Sequence, residues 1–185
     1  MSSEFKKDVE QQVDDQPEEE AGHETPLSYD DLSQRAVRSL IFHLLYAADA
    51  FDYDTSLESI VENFNRGFDL EIPRHGKVFQ VAQQVIDQRD ALDEFYKPFL
   101  TNWRFDRIGV ATKLILRFAV WELQATDTDT RIIINEAVEL AKCFAEKDAF
   151  RFINGILDKA ARELGREVPA ELEIDTEDKE EASDE

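Results

Sequence analysis

The 185-residue chain has one cysteine, six glycines and five prolines, and each shortage excludes something. A lone Cys143 permits neither an intramolecular disulfide nor a multi-cysteine metal site; it falls inside a helical pattern and is expected to be packed. So few glycines and prolines leave little turn chemistry for hairpins, and no sustained alternation of apolar and polar residues appears. No apolar run approaches the ~18 residues of a membrane helix, and the amino terminus has no basic segment leading into an apolar one. The expectation is a soluble, cytoplasmic protein with no membrane partner. His23, His43 and His75 lie far apart without ligand spacing, so no metal and no cofactor are expected. Glycine-rich phosphate loops, G-x-S-x-G and H-E-x-x-H are absent, and no carboxylates stand in an acid–base motif. These absences argue against an enzyme.

Basic residues are scarce as well. Twenty-one Lys and Arg face 42 Asp and Glu, a net charge of −21. The excess is not uniform: residues 1–32 hold 11 acids and 2 bases, residues 165–185 hold 10 acids and 2 bases, and residues 33–164 come to only −4. The whole-chain charge therefore does not decide against a nucleic-acid partner for the centre. The two tails have too little apolar surface to offset the entropy of ordering and read as disordered. They serve solubility, or alternatively compete with phosphate for a basic patch on the centre.

What is present is helical periodicity, nearly throughout residues 33–164. Ser33 is placed to cap a helix in which Val37, Leu40, Ile41, Leu44, Leu45 and Ala48 share a face. A second helix follows from Leu57, Ile60, Val61 and Phe64, capped by Thr55 or Ser56 and with Gly67 near its end. KVFQVAQQVIDQRDALDEFY buries Val78, Val81, Ala82, Val85, Leu92 and Phe95, until Pro98 breaks or kinks it. RIGVATKLILRFAVWELQAT is apolar around much of its circumference and belongs at the centre of a bundle, with Lys113 and Arg117 on one face. A cap-rich TDTDT precedes a helix over 131–145, and Asp148 is placed to cap the next, where Ile153, Ile156, Leu157, Ala160 and Leu164 step at three and four. The fold class is all-α, with six or seven helices and no internal repeat.

Arginines and aromatics are the remaining signal. Arg35 and Arg38 share a face of the first helix, and Phe150 and Phe152 flank Arg151 after the charged elbow AEKD. Aromatics for bases beside guanidinium groups for phosphates suit single-stranded RNA. Two phenylalanines at a helix start are more often core, and composition leaves both readings open. The acid-rich NEAVELAK reads as a solvated face.

INEAVELAK followed by F-x-x-x-D-x-x-x-x-F-x-N-G-x-L-D-K resembles the carboxy-terminal signature of the NusB transcription antitermination family. The matching residues are Ile134 to Lys142, Phe144, Asp148, Phe152, Asn154, Gly155, Leu157, Asp158 and Lys159. RAVRSLIFHLLY is similar to that family's R-x-x-R…LY opening, and YKPFL and LRFAVWEL fit its middle, so the resemblance spans about residues 33–164. It implies an all-helical fold of two packed subdomains without catalytic activity. It further implies binding of boxA-type single-stranded RNA together with ribosomal protein NusE, in an RNA polymerase antitermination complex that supports ribosomal RNA transcription. The implied RNA surface is Arg35, Arg38, Phe99, Arg117, Asp148, Arg151 and Phe152, with Tyr46 toward NusE. Arginines would meet phosphates, Phe99 and Phe152 would stack on bases, and Asp148 would accept from a base amine. Gly155 fits a close approach of another backbone or, equally, tight helix packing. Many members carry an arginine-rich run where this chain has Gln34, Arg35, Ala36, Val37 and Arg38, and a polar residue in place of Phe150. A thinned run means fewer phosphate contacts and a flatter salt dependence. The alternative is a protein-interaction module of the same fold that has largely lost RNA binding. The helical RNA-binding domain of some ribosomal RNA methyltransferases is also similar, but this chain has no room for a catalytic domain. Self-association through the RNA-binding face stays open.

Overall fold

Ser33 shows how directly local chemistry starts the first helix: its hydroxyl accepts from the Ala36 N–H at 3.1 Å, satisfying one of the unpaired donors of the first turn. The helix α1 (Gln34–Ala50) follows. The computed structural model describes residues 29–68, 71–101 and 103–166. After α1 come α2 (Leu57–Phe68), α3 (Lys77–Asp87), α4 (Arg89–Tyr96), α5 (Val110–Ala125), α6 (Thr130–Phe144) and α7 (Ala149–Glu163), with short 3-10 turns between some of them. No strand occurs among the described residues. Ser56 caps α2, its hydroxyl accepting from the Ser59 N–H, and the Asp129 carboxylate accepts from the Arg131 N–H at 2.8 Å at the start of α6.

The all-round apolar segment becomes the axis, as its periodicity requires. Leu114, Ile115, Leu116 and Val120 of α5 are each at most 1% exposed, and α5 touches α1, α3, α4, α6 and α7. Around it the helices group in two: α1, α2 and α3 pack on one another, α4 to α7 form the second unit, and α1 joins the two by lying on α5.

Three local expectations are corrected. The stretch 77–96 is two helices rather than one, separated at Gln88 well before Pro98. No glycine or proline marks the break; the Arg89 guanidinium turns back to the Ile86 carbonyl at 3.1 Å, closing the end of α3, and lies 4.8 Å over the Tyr53 ring. The bend lets α3 face α1 while α4 faces α5. Cys143 is exposed, not packed, because it lies outside the α6 stripe of Ile133, Ile134, Ala137, Leu140 and Ala141. Asp148 sits at the N-cap position of α7 but makes no side-chain cap bond: its backbone is left-handed (φ 66°), not the extended conformation of a capping residue.

The parts of the acidic tails at 1–28 and 167–185 lie outside the described residues. Their inner ends are ordered. The Val78 N–H donates to the Tyr29 hydroxyl at 3.2 Å, at an α3 start where Gly76 has no side chain to offer. A Cβ on Gly76 would stand 3.0 Å from that hydroxyl. At the other end Arg166 donates to the carbonyls of Leu123, Thr126 and Thr128, closing the exit of α5.

Candidate nucleic-acid interface

The elbow between α6 and α7 is held from outside. The Thr112 hydroxyl donates to the Glu146 carboxylate at 2.7 Å, and that carboxylate lies over Gly109, the residue that opens α5. A Cβ on Gly109 would overlap the carboxylate, so the glycine is required for the approach. A negative charge at a helix N-terminus is favourable, and this contact clips the elbow to the central helix. Lys147, Asp148 and Phe152 are thereby presented beside the segment that enters α5. Together with Trp103 and Arg107 they line a cavity of about 310 Å³.

Of the seven expected RNA residues, Asp148 and Phe152 share that cavity. Arg151 is exposed one residue away, with its guanidinium 5.5 Å over the Phe150 ring. Phe99 is tied to the same helix: the Lys159 ammonium donates to the Phe99 carbonyl at 3.2 Å and to the Thr101 hydroxyl at 3.1 Å. The Phe99 ring turns edge-on to Phe95 and is partly buried. Phe150 has Lys142 and Arg151 against its ring.

The other three arginines are engaged elsewhere. Arg35 is exposed and pairs in a bidentate way with Glu136 of α6, at 2.9 and 3.2 Å, and that bond raises its pKa. Arg38 is 9% exposed and forks onto Glu122 of α5. Arg117 is turned inward: it donates to both oxygens of Asp93 at 2.8 and 2.7 Å and to the Tyr53 hydroxyl at 2.8 Å. Burial opposes its charge, but the bonds to Asp93 and that carboxylate's own charge outweigh it and hold the guanidinium protonated. The same cluster pushes Tyr53 up to about 12, by burial first and then by its bond to Asp49. Tyr96, which donates to Asp93 at 3.0 Å, is also raised, first by burial and then by that carboxylate. Arg38 and Arg117 thus tie α1 and α4 to α5.

Tyr46 lies apart from this face. It is 49% exposed, next to Phe42, which stacks on the 39% exposed Phe144 at 4.9 Å; His43 meets the same Phe144 edge-on. The result is an aromatic strip across α1 and α6.

Trp103, Arg107, Glu146 and Lys147 were not singled out by sequence reasoning. Trp103 and Arg107 lie outside any helical stripe, and Glu146 gains its role only through Gly109. A lone tryptophan between two helix predictions is the one signal that could have flagged this segment.

A model of the NusB family matches residues 35–162, most of the described helices. The chain belongs to the NusB family. The transcription antitermination protein NusB of a Nitratiruptor species is 34% identical over 139 residues, covering 71% of this chain and 94% of that protein. The protein of the same name from Staphylococcus carnosus is 34% identical over 127 residues, covering 68% and 97%. Among solved structures, T. maritima NusB superposes with a TM-score of 0.61 at 26% identity, covering 71% of this chain and 92% of that one. The solution structure of NusB from Aquifex aeolicus, TM-score 0.53 at 21% identity, covers 76% and 97% and supports the fold alone.

In this NusB-family chain the carboxy-terminal signature is the α6–elbow–α7 unit, closed by an Asn154 side chain that donates to Asp158 at 3.3 Å. Gly155 is exposed, and a Cβ there would meet nothing within 4 Å, so helix packing does not explain it. Gly155→Ala is expected to stabilise the fold by up to about 1 kcal/mol, read as a raised unfolding midpoint. If an RNA backbone comes close at this glycine, the same variant binds RNA more weakly. Unchanged RNA affinity would remove close approach as the reason for the glycine.

Proposed function

We propose that this chain is a transcription antitermination factor whose elbow face binds boxA-type single-stranded RNA, acting with ribosomal protein NusE in an RNA polymerase antitermination complex that supports ribosomal RNA transcription. The observation that carries the reading is the company Phe152 keeps. Exposed aromatic surface, the free Asp148 carboxylate and the cations Arg107 and Lys147 line one opening, Arg151 is the chain neighbour of Phe152, and none of these three cations has a carboxylate partner among the described residues. Unpaired cations can release counterions from phosphate without first breaking an ion pair. On this reading Arg107, Lys147 and Arg151 meet the backbone, Phe152 and the open part of Phe99 take bases, and Asp148 accepts from a base edge. On the same reading Arg35 exchanges Glu136 for phosphate, whereas Arg38 and Arg117 act by positioning. Tyr46 and the strip around Phe144 would face NusE.

Fluorescence anisotropy of a labelled boxA-like RNA, titrated with the full chain at several salt concentrations with and without NusE, tests this. Three phosphate contacts predict that log K falls with log salt at a slope of about −2, and NusE is expected to tighten binding. A second reading, a protein-interaction module of this fold, is favoured by the capture of Arg35, Arg38 and Arg117 by carboxylates. Folded protein that binds NusE but no RNA at low salt would select it.

A further inference from the structure

Trp103 belongs to no motif, yet its side chain is 57% exposed in an irregular segment ahead of α5. Indole is the largest apolar surface a side chain can offer, and leaving it in water gains nothing unless something covers it. Its ring centroid lies 5.1 Å from that of Phe152, with the planes at 50°. Two rings at that angle form a corner, not a parallel slot. Behind the corner is the cavity of about 310 Å³ whose wall includes Arg107, Gly109, Lys147 and Asp148. Its size is at the small-ligand end of known pockets, roughly 300–1,000 Å³.

Resting on the RNA reading above, we propose that Trp103 is a second stacking residue of the site, and that the cavity beside it receives one unpaired base whose exocyclic amine meets Asp148. The lining favours a nucleotide over a peptide side chain. It combines two flat apolar faces with the unpaired cations Arg107 and Lys147 and two carboxylates, of which Glu146 accepts from Thr112 and Asp148 makes no cap bond. A ligand matching all three has a planar body, an anionic backbone and a donor on its edge. An ionised carboxylate only accepts, so a base with an outward amine (adenine, cytosine or guanine) is preferred over uracil. Uracil's ring N–H lies between two carbonyl oxygens that a carboxylate repels. Glu146, held by Thr112, ties the elbow that carries Asp148 to the start of α5.

The chain carries its own probe, because its other tryptophan, Trp121, is only 6% exposed. Full-length protein is titrated with labelled oligoadenylate and oligouridylate, reading RNA anisotropy and tryptophan emission in parallel, with folding of each variant checked by circular dichroism. Oligoadenylate is expected to bind more tightly than oligouridylate and to quench the emission. Trp103→Ala should weaken oligoadenylate binding roughly 5- to 150-fold, the range of one base–aromatic stack. Trp103→Phe keeps a ring, so most of the affinity remains while the quenching disappears, and Asp148→Ala should erase the preference for oligoadenylate. Wild-type affinity in Trp103→Ala and no change of wild-type emission on binding RNA, alongside weakened binding in Phe152→Ala, overturn the role of Trp103 and leave the RNA reading intact; the indole would then belong to a protein partner. Failure of the folded wild-type chain to bind either RNA at low salt overturns both.

Discussion

Asp93→Ala is expected to cost about 3–5 kcal/mol of folding stability, read from the midpoint of chemical denaturation, because it strands the Arg117 charge in the interior. The side chains of Arg117 and Asp93 are 11% and 8% exposed, and Asp93 takes two of the guanidinium's donors. Tyr96 also loses its acceptor. The remaining neighbour, Asp49, is 3.8 Å from Arg117 and more open to water, so it cannot replace a bidentate partner. Replacing both Asp93 and Arg117 with leucine should be far less destabilising, since no unpaired charge is left behind. A double variant as unstable as Asp93→Ala would mean that volume, not charge, is what the pair supplies. A guanidinium committed to Asp93, Tyr53 and Asp49 on the inside of the fold is not free for phosphate, so on the proposed RNA reading Arg117 acts by positioning.

The second large effect is expected from Phe152→Ala, which should weaken RNA binding by about 1–3 kcal/mol. Phe152 lies at the margin of the α7 core stripe, partly buried, with its ring against Trp103 at the cavity mouth. The measurement is RNA anisotropy on variant protein shown to be folded, with Phe150→Ala as comparison. Phe150 has Lys142 and Arg151 against its ring and should matter less. Equal losses in the two variants, matched by equal losses of stability, would return both rings to packing.

Helix class and core positions were readable because a 3.6-residue period is a local property. Val78, Val81, Ala82 and Val85 are buried where that period places them, and Ser33 caps where a serine before an apolar stripe should. The α3–α4 break was not readable, because no glycine or proline marks it and the Arg89 that closes the end of α3 is held over Tyr53, far away in sequence. Cys143 was misjudged for a related reason: a position between core residues of a helix can still face outward.

The candidate site divides in the same way. Asp148, Arg151 and Phe152 stand together in one stretch whose resemblance to the NusB signature is visible in order and spacing. The arginines look alike in sequence, and only partners separate them: Arg38 meets Glu122 and Arg117 meets Asp93 across 84 and 24 residues. Trp103 and Gly109 come to the elbow only when α5 and α7 pack, with Glu146 filling the space that a Cβ on Gly109 would occupy. By itself, then, the sequence determined the helical class, most of the buried stripes, the family and the grouping of Asp148, Arg151 and Phe152 in one stretch, since those depend on residues near one another in the chain. Which cations are free, and which aromatics share an opening, depends on ion pairs and contacts between distant helices, and that only the tertiary structure decided.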